Sequence, residues 1–380
     1  MTRSSLHIVA DDAIPYAREA FEPLGELQLL PGREITPERV RSADVLLVRS
    51  RTRVDERLLA GSRVRFVGST VAGLDHVDQT YLARAGIRFY SAQGCNANSV
   101  SEYVTAALVT LAAEQGFSLR GRRIAVIGVG HVGSRVAAKA KALGMEPLLN
   151  DPPRAEREPG FPHVPLAECL EADIVTLHTP LTDHGAHPTR HLLDANRVRA
   201  LGADTILVNA ARGGIVDETA WAGQPLRASV VDCWKNEPDI DPALLARADI
   251  ATPHIAGHSL DAKVNGTRMA LDALCRFLGA DCDLDLEQLM PAPSPERIEL
   301  DAHDMDETRA LHQIIRQAYP IRQDDAALRQ DIDRLSGYFE DLRRNYPVRR
   351  EWPHHQVAVT GADESLRATL AGLGFALASR

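Results

Sequence analysis

The stretch Arg122–Gly144, RRIAVIGVGHVGSRVAAKAKALG, decides the fold. It begins with the apolar run RIAVI, passes through three glycines spaced G-x-G-x-x-G, and continues as an amphipathic pattern that ends in a glycine. This order predicts a strand, a tight turn and a helix. Gly128 permits the turn, Gly130 lets the backbone approach a pyrophosphate, and Gly133 allows close packing of helix on strand. We therefore predict a dinucleotide-binding Rossmann unit.

An acid at the end of the next predicted strand indicates which dinucleotide binds. Asp151 follows the glycine loop at about the spacing of 20 residues that is typical of such units. A carboxylate there accepts hydrogen bonds from the adenosine ribose hydroxyls and repels a 2′-phosphate, which favours NAD over NADP. Arg154 lies nearby and weakens that preference. Val132, inside the loop, is assigned to the same cofactor site.

Short apolar runs alternate with helical patterns on both sides of this stretch. The runs are LHIVA, VLLVRS, VRFVGST and IRFYSA before it, and ADIVTLHTP, DTILVNAARG, RASVVDCW and ADIATPHIAG after it. Such βαβα alternation implies parallel sheets covered by helices on both faces. A helix predicted over Ser99–Gln115 is apolar around most of its circumference, so we expect it to be largely buried.

The fold class predicted is α/β, with two doubly wound domains and a small third one. Residues 1–97 with 258–285 are predicted to form a flavodoxin-like substrate domain, which a helix over about Leu260–Leu278 rejoins. Residues 98–257 are predicted to form the Rossmann domain. After the proline-rich linker MPAPSPER, residues 286–380 are predicted to form a small α+β domain. Two helical crossings between the first two domains are expected to make a hinged pair with a cleft.

Composition excludes several classes of protein. The chain is 44% hydrophobic and 25% charged, which are globular values. It contains no apolar stretch of membrane-spanning length, and its start lacks the apolar run of a secretory signal. Its five cysteines are scattered and include no C-x-x-C pair, so we expect neither a disulfide framework nor a zinc site or any other metal. This cysteine usage predicts that the protein works in the reducing cytoplasm. The formal net charge of −9 argues against nucleic acid as a partner.

Three polar residues follow the glycine loop, each where an apolar run ends. Arg212, in LVNAARGGIVDE, can form a two-pronged pair with a carboxylate, although on position alone it could equally cap a turn. His254, in ATPHIAG, suits proton transfer near neutrality, although the chain has 14 histidines. Glu237, in VVDCWKNEPD, can orient that histidine, although alone such an acid is more often solvated. All three lie where open α/β sheets bind ligands, which favours oxidation of a hydroxy acid.

These segments, with LHTPLT, resemble the D-isomer-specific 2-hydroxy acid dehydrogenases over about residues 1–285. The resemblance implies NAD and substrate in the cleft between two doubly wound domains. It implies His254 as the acid/base, Glu237 as its orienting partner and Arg212 as the substrate clamp. It also implies cofactor contacts at Thr179, Ala210, Asp232 and Gly257. Of these, Asp232 is expected near the nicotinamide carboxamide.

A narrower resemblance, to one branch of that family, covers nearly the whole chain. It is carried by VADDAIPYAREAF, VRSRTRV, AGLDHVD, GCNANSV, NDPPRA and the tail RQDDAALR…FEDLRRNYPVRREW, which most relatives lack. The branch oxidises 4-phosphoerythronate in pyridoxal 5′-phosphate biosynthesis and forms a homodimer through its C-terminal domain. The resemblance implies a substrate contact at Ser50. The chain departs from the branch at Val71, which replaces a threonine expected to touch substrate, and at His258, which replaces a tyrosine.

The substrate's anionic ends need cations and N–H donors because the net charge of the chain is unfavourable. Backbone N–H groups near Ala72 and Gly73 are expected to help Arg212 hold the carboxylate. Arg49 is the first candidate for the phosphate, with other arginines left open, some of them across a dimer: Arg51, Arg53, Arg343, Arg344, Arg349 and Arg350.

Two alternative functions stay open at this point. One is a dehydrogenase of the same family that acts on 3-phosphoglycerate or glycerate, which the additional C-terminal unit disfavours. The other is a non-catalytic scaffold that senses NAD. Since a sensor does not need Arg212, Glu237 and His254 together, their combination favours catalysis.

Overall fold

The structure is a computed structural model, and it describes residues 6–331 and 334–378. Contacts between Cα atoms divide the chain into two compact units: residues 1–96 with 259–291, and residues 97–258 with 292–380. Within the described residues, no helix is both long enough and apolar enough to cross a membrane.

The first unit is built on a parallel sheet of five short strands. These are β1 (His7–Asp11), β2 (Glu26–Leu30), β3 (Val45–Val48), β4 (Phe66–Ser69) and β5 (Arg88–Ser91). The connecting helices are α1 (Ala17–Phe21), α2 (Pro37–Val40), α3 (Glu56–Leu59) and α4 (Gln79–Arg84), with 3-10 turns at Glu22–Leu24 and Gly32–Glu34. The strand order β2-β1-β3-β4-β5 is that of flavodoxin-like folds, which confirms the predicted class.

The second unit begins with the buried helix α5 (Ala97–Gln115) and contains a six-stranded parallel sheet. The strands are β6 (Arg123–Ile127), β7 (Glu146–Asn150), β8 (Ile174–Leu177), β9 (Ile206–Asn209), β10 (Ala228–Val231) and β11 (Ile250–Ala251). The helices are α6 (His131–Ala142), α7 (Pro152–Arg157), α8 (Leu166–Cys169), α9 (Ala195–Ala200), α10 (Glu218–Gly223) and α11 (Pro242–Arg247). Every residue of β8, β9 and β10 is buried, as expected for central strands covered on both faces.

The sheet order identifies the Rossmann arrangement. The order is β11-β10-β9-β8-β6-β7, and a single parallel bridge between Leu149 and His163 continues the sheet beyond β7. The bridge stands where a Rossmann sheet has its third strand. The predicted Rossmann domain is therefore confirmed as a fold.

Helix α12 (Leu260–Leu278) and the 3-10 turn that follows it belong to the first unit, and the elements from β12 onward belong to the second. A 3-10 turn at Leu286–Leu289 precedes β12 (Arg297–Asp301), α13 (Glu307–Ala318), α14 (Ile321–Leu328) and α15 (Leu335–Arg344). After a 3-10 turn at Trp352–His354 come β13 (Gln356–Thr360), α16 (Glu364–Leu373) and β14 (Ala376–Leu377). The three strands form a small parallel sheet in the order β12-β13-β14.

The C-terminal segment shares its apolar core with the Rossmann sheet. Ile314 of α13 and Leu370 of α16 lie in one buried cluster with Val104 of α5 and Val136 of α6. Phe339 of α15 is fully buried in the cluster on the other face of that sheet. The division by contacts therefore groups this segment with the nucleotide-binding sheet. The three-domain boundaries given above stay a prediction.

One disulfide lies near the C-terminal end of α12. The structure joins Cys275, in α12, to Cys282, with a Cα–Cα distance of 6.2 Å that lies in the usual range for such a link. Cys95, Cys169 and Cys233 are buried and lie outside this disulfide. The expectation drawn from scattered cysteines is therefore wrong for this pair, because α12 ends at Leu278 and the residues from Gly279 to Cys282 suffice to fold one cysteine back on the other.

Candidate active site

The glycine loop between β6 and α6 is a tight turn with one open position. Gly128 has a φ of 88°, and a Cβ there would lie 2.7 Å from the carbonyl carbon of His178. A Cβ on Gly133 would lie 2.0 Å from the carbonyl oxygen of Gly128. Gly130, at the N-terminus of α6, has open space around it. The loop therefore fits a pyrophosphate, which would lie against the helix N-terminus.

Asp151 caps α7 and also faces the glycine loop. Its Oδ1 accepts from the backbone N–H of Arg154 at 2.9 Å, and its Oδ2 accepts from that of Val129 at 2.8 Å. The guanidinium of Arg154 donates to the carbonyl oxygen of Val129 at 2.7 Å. An acid and a cation therefore lie side by side at the position expected for the adenosine ribose.

This arrangement predicts that Asp151→Ser relaxes cofactor choice. Serine keeps the cap on α7 but removes the charge that repels a 2′-phosphate, and Arg154 remains to pair with one. We expect the ratio of kcat/KM for NAD to that for NADP to fall at least about tenfold. Steady-state rates with both cofactors measure this ratio, and an unchanged ratio would remove Asp151 from cofactor discrimination.

A second close approach of backbone brings the Arg212 turn against the turn after β10. The side-chain amide of Asn209, at the end of β9, donates to the carbonyl oxygens of Arg212 at 3.0 Å and Cys233 at 3.2 Å. A Cβ on Gly213 would lie 1.9 Å from the carbonyl oxygen of Trp234, so glycine is required there. The partly exposed Arg212 also donates from its guanidinium to the Ala211 carbonyl at 2.8 Å.

His254 and Glu237 form a hydrogen-bonded pair. Nδ1 of His254 lies 2.8 Å from Oε2 and 3.1 Å from Oε1 of Glu237, and the backbone N–H of Trp234 donates to Oε1 at 2.8 Å. Burial raises the pKa of Glu237, but the charge of His254 and these hydrogen bonds outweigh it, so that pKa is lowered. A carboxylate that accepts from Nδ1–H directs Nε2 of the ring to exchange a proton with a substrate.

The loop that carries His254 is strained and is held by a buried acid. His254 has a φ of 55°, a left-handed conformation that costs a non-glycine residue free energy. Asp232, which is 1% exposed, accepts from the backbone N–H groups of Ile255 at 2.7 Å and Ala256 at 3.1 Å. Its Oδ1 also accepts from the hydroxyl of Thr252 at 2.7 Å. In this structure Asp232 therefore anchors the loop, and its contact with a cofactor stays a prediction.

Cys233 lies beside the pair. Its sulfur and ligand atoms of Glu237 and His254 all lie within 4.8 Å of one another, a set of groups that can hold a metal ion. Burial and the charge of Asp232 raise the pKa of the Cys233 thiol, which opposes such binding. The expectation that the chain holds no metal stays a prediction.

The remaining predicted residues are distributed over both units. Within the described chain, the hydroxyl oxygen of Thr179 is buried without a hydrogen-bond partner, as expected for a group that meets a ligand. Ala210 is buried, whereas Val132 and Gly257 are partly exposed. The ring of His258 meets that of Tyr346 edge-on at 5.8 Å. The other predicted substrate residues lie in the first unit, after β3 or β4: Arg49, Ser50, Val71, Ala72 and Gly73.

Comparison with known proteins identifies the family. Residues 96–256 match the D-isomer specific 2-hydroxyacid dehydrogenase NAD-binding domain, and residues 289–374 match a domain of unknown function, DUF3410. The erythronate-4-phosphate dehydrogenase of Hydrogenovibrio crunogenus is 49% identical over 374 residues, which are 97% of this chain and 98% of that protein. The chain belongs to the erythronate-4-phosphate dehydrogenase branch of the D-isomer-specific 2-hydroxyacid dehydrogenase family. It is accordingly a NAD-dependent oxidoreductase acting on CH–OH donors.

Other comparisons agree with this assignment. The erythronate-4-phosphate dehydrogenase of Ruthia magnifica is 44% identical over 349 residues, which are 92% of this chain and 97% of that protein. D-lactate dehydrogenase from Aquifex aeolicus, solved with NAD and lactic acid, has a TM-score of 0.61 at 22% identity and covers 72% of this chain and 96% of its own. The 3-phosphoglycerate dehydrogenase of Entamoeba histolytica has a TM-score of 0.61 at 24% identity, with coverages of 73% and 96%. These two solved structures support the fold.

Sequence reasoning missed the residues that hold the site together. Asn209, Thr252 and Ser99 are all buried and polar, and each bonds the backbone or side chain of a site residue or its neighbour. The sequence does contain a signal for Asn209 and Thr252, because each is a polar residue at the end of an apolar strand, where a buried polar side chain usually has a specific partner.

Proposed function

We propose that this chain oxidises 4-phosphoerythronate with NAD to 3-hydroxy-2-oxo-4-phosphooxybutanoate, in the biosynthesis of pyridoxal 5′-phosphate. The observation that carries the proposal is the hydrogen-bonded Glu237–His254 pair in a chain that matches enzymes of this name over almost its full length. The pair supplies a base for the hydroxyl proton, and Arg212 supplies a cation for the carboxylate.

The residues divide the work of the oxidation. NAD, when bound, supplies a nicotinamide ring that accepts the hydride from carbon 2. His254 removes the proton from the hydroxyl on that carbon through Nε2, and Glu237 stabilises the imidazolium that forms. Arg212 holds the carboxylate and so orients carbon 2. The nucleotide would be held by the glycine loop, Asp151 and the other predicted contacts: Val132, Thr179, Ala210, Asp232 and Gly257.

Recognition of the phosphate and the hydroxyls is assigned to residues of the first unit and to His258. Arg49 follows β3 and is proposed to bind the phosphate, with Ser50 beside it. Backbone N–H groups of Ala72 and Gly73, after β4, are proposed to bind the carboxylate with Arg212. Val71 and His258, which differ from the branch, are proposed to adjust these contacts.

A comparison of substrates tests the proposal. Purified protein with NAD is offered 4-phosphoerythronate, 3-phosphoglycerate or glycerate, and NADH is followed by absorbance, with and without a keto-acid acceptor that can reoxidise bound NADH. We expect kcat/KM for 4-phosphoerythronate to exceed that for the other acids at least about tenfold, since phosphate and hydroxyl contacts each contribute to it. A preference for another acid contradicts the substrate, and no turnover with any acid or acceptor contradicts catalysis.

Glu237→Gln tests the role of the acid. An amide cannot stabilise the imidazolium, so we expect kcat to fall about 10- to 100-fold. The matched control is Glu146→Gln, an exposed glutamate at the start of β7, which is expected to leave kcat unchanged. Equal rates for the two variants would remove Glu237 from the mechanism.

The same variant has an expected effect on stability against pH. Because the pKa of folded Glu237 is lowered from 4.5, its ionised form stabilises the fold above pH 4.5, and this contribution is lost as the pH falls through the lowered value. The difference in Tm between wild type and Glu237→Gln should therefore be largest above pH 4.5 and should shrink below it. A difference that grows on acidification contradicts the assignment.

We further propose that the chain forms a homodimer through residues 286–380 and works in the cytoplasm. Similarity to the branch supports the dimer, and the family's metabolic chemistry supports the compartment. Sedimentation equilibrium of the full chain measures the subunit count, and a concentration-independent monomer would rule the dimer out.

A further inference from the structure

Arg349, near the end of the chain, is buried against the start of α5. It is 7% exposed, and its Nη1 lies 3.2 Å from Oε2 of the fully buried Glu102. Its Nη2 donates to the hydroxyl of Ser99 at 2.6 Å. The guanidinium also lies 4.2 Å from the centre of the Tyr319 ring. These contacts fix the position and orientation of the guanidinium, because a planar fork with several partners has little freedom.

Ser99 transmits this anchor to the loop that carries His254. Its hydroxyl donates to the carbonyl oxygen of Ala256 at 2.8 Å, and the residue is fully buried. The backbone N–H of Ala256 is bound at the same time by Asp232. The peptide units on the two sides of Ala256 are therefore held by different elements, one by Asp232 after β10 and the other by Arg349 through Ser99.

The loop needs such restraint. His254 adopts a left-handed conformation, and a conformation of this kind persists only where the surroundings determine it. The same C-terminal stretch touches the loop a second time, where Tyr346 meets His258 edge-on. Asp324 fixes Tyr346 by accepting its hydroxyl at 2.8 Å.

We propose that Arg349, acting through Ser99, is a positioning residue that fixes the loop bearing His254. The C-terminal segment is then part of the catalytic apparatus of its own subunit, besides any role in assembly. The inference rests on the proposed function, since it assigns His254 to the chemistry. A shift of about 1 Å in a reacting group costs up to about a hundredfold in rate, so a loosened loop shows first in kcat.

Ser99→Ala tests the proposal, and Ser101→Ala is its control. Both serines are fully buried in α5, but the hydroxyl of Ser101 donates to the Asn98 carbonyl at 2.7 Å, within the helix and away from the loop that carries His254. We expect Ser99→Ala to lower kcat about tenfold with KM for NAD and for the acid within about twofold, and Ser101→Ala to change none of these. Equal kcat values for the two variants, at equal Tm, overturn the proposal.

Two further measurements separate positioning from simple loss of stability. Amide hydrogen exchange of residues 250–258 should accelerate in Ser99→Ala and not in Ser101→Ala, since only the first frees the Ala256 carbonyl. Arg349→Lys should lower kcat in the wild type but much less in the Ser99→Ala background, because both changes break one path. If the losses in kcat of the two single variants add up in the double variant, Arg349 does not act through Ser99.

The exchange measurement also keeps the two proposals apart. If the wild type oxidises no acid, the proposed function fails while the exchange of residues 250–258 still decides whether Ser99 holds the loop. If the wild type turns over normally and the exchange is the same in both variants, the positioning role alone fails.

Discussion

Replacing His254 by asparagine is expected to lower kcat by about two to four orders of magnitude, which is the contribution of a positioned acid/base. Asparagine is the sharper choice over alanine, because His254 has a φ of 55° and asparagine tolerates that region well. The backbone of the loop is thus preserved while the proton acceptor is lost. The affinity for NAD, measured by calorimetry, should stay near that of the wild type.

The control for this variant is His303→Asn. His303 is an exposed histidine after β12 whose ring bonds Asp301, far along the chain from the loop. It should keep full activity. If His254→Asn retained activity within about threefold of the wild type, His254 would not be the base.

The second large effect is expected from Arg212→Gln, which removes the charged clamp but keeps a polar side chain. Two charge-assisted hydrogen bonds to a carboxylate contribute about 1.5–3 kcal/mol each, so kcat/KM for the acid should fall about 10²- to 10⁴-fold. Much of the loss should appear as a higher KM for the acid, with NAD affinity unchanged.

The matched control is Arg199→Gln, at an exposed arginine of α9 whose guanidinium donates to its helix neighbour Asn196 at 2.9 Å. We expect wild-type kinetics for it. A loss for Arg212→Gln that appears only in the KM for NAD would assign Arg212 to the nucleotide instead of the acid.

Much of the fold could be predicted because the strands of a parallel sheet are continuous apolar runs. The helix expected over Ser99–Gln115 is α5, Ala97–Gln115, and fifteen of its residues are buried, as its apolar circumference indicates. The helix expected over Leu260–Leu278 has those bounds. In both cases the pattern of side chains reports burial directly.

Other parts of the fold give no such signal. The third Rossmann strand is reduced to one bridge at His163, because the segment EPGFPHVP around it contains three prolines, which lack the N–H that a ladder needs. The sequence pattern of the amphipathic helices in the C-terminal segment predicts that one face of each is buried, but it does not indicate which element packs against that face. That α13 packs against α5 and α16 against α6 follows only from the three-dimensional packing.

Some residues of the candidate site can likewise be proposed from the sequence, and others cannot. Arg212, Glu237 and His254 can be proposed from the sequence because each stands at the end of an apolar run in a known order, and their roles stay a prediction. Ser99 cannot be proposed in this way, since its partner Arg349 lies 250 residues away and a serine in a buried helix has no distinguishing pattern. The left-handed backbone at His254 is likewise invisible in the residue type, because histidine adopts it only where neighbours impose it.

Hydride is expected to pass from carbon 2 of 4-phosphoerythronate to NAD in this protein, and transfer of deuterium tests this step most directly. Protein and NAD are mixed with 4-phosphoerythronate deuterated at carbon 2, and the dinucleotide is recovered after denaturation and weighed by mass spectrometry. We predict NADH one mass unit heavier than the unlabelled compound, with little formed by His254→Asn. Unlabelled NADH, or no NADH in either the free or the bound fraction, would contradict the account.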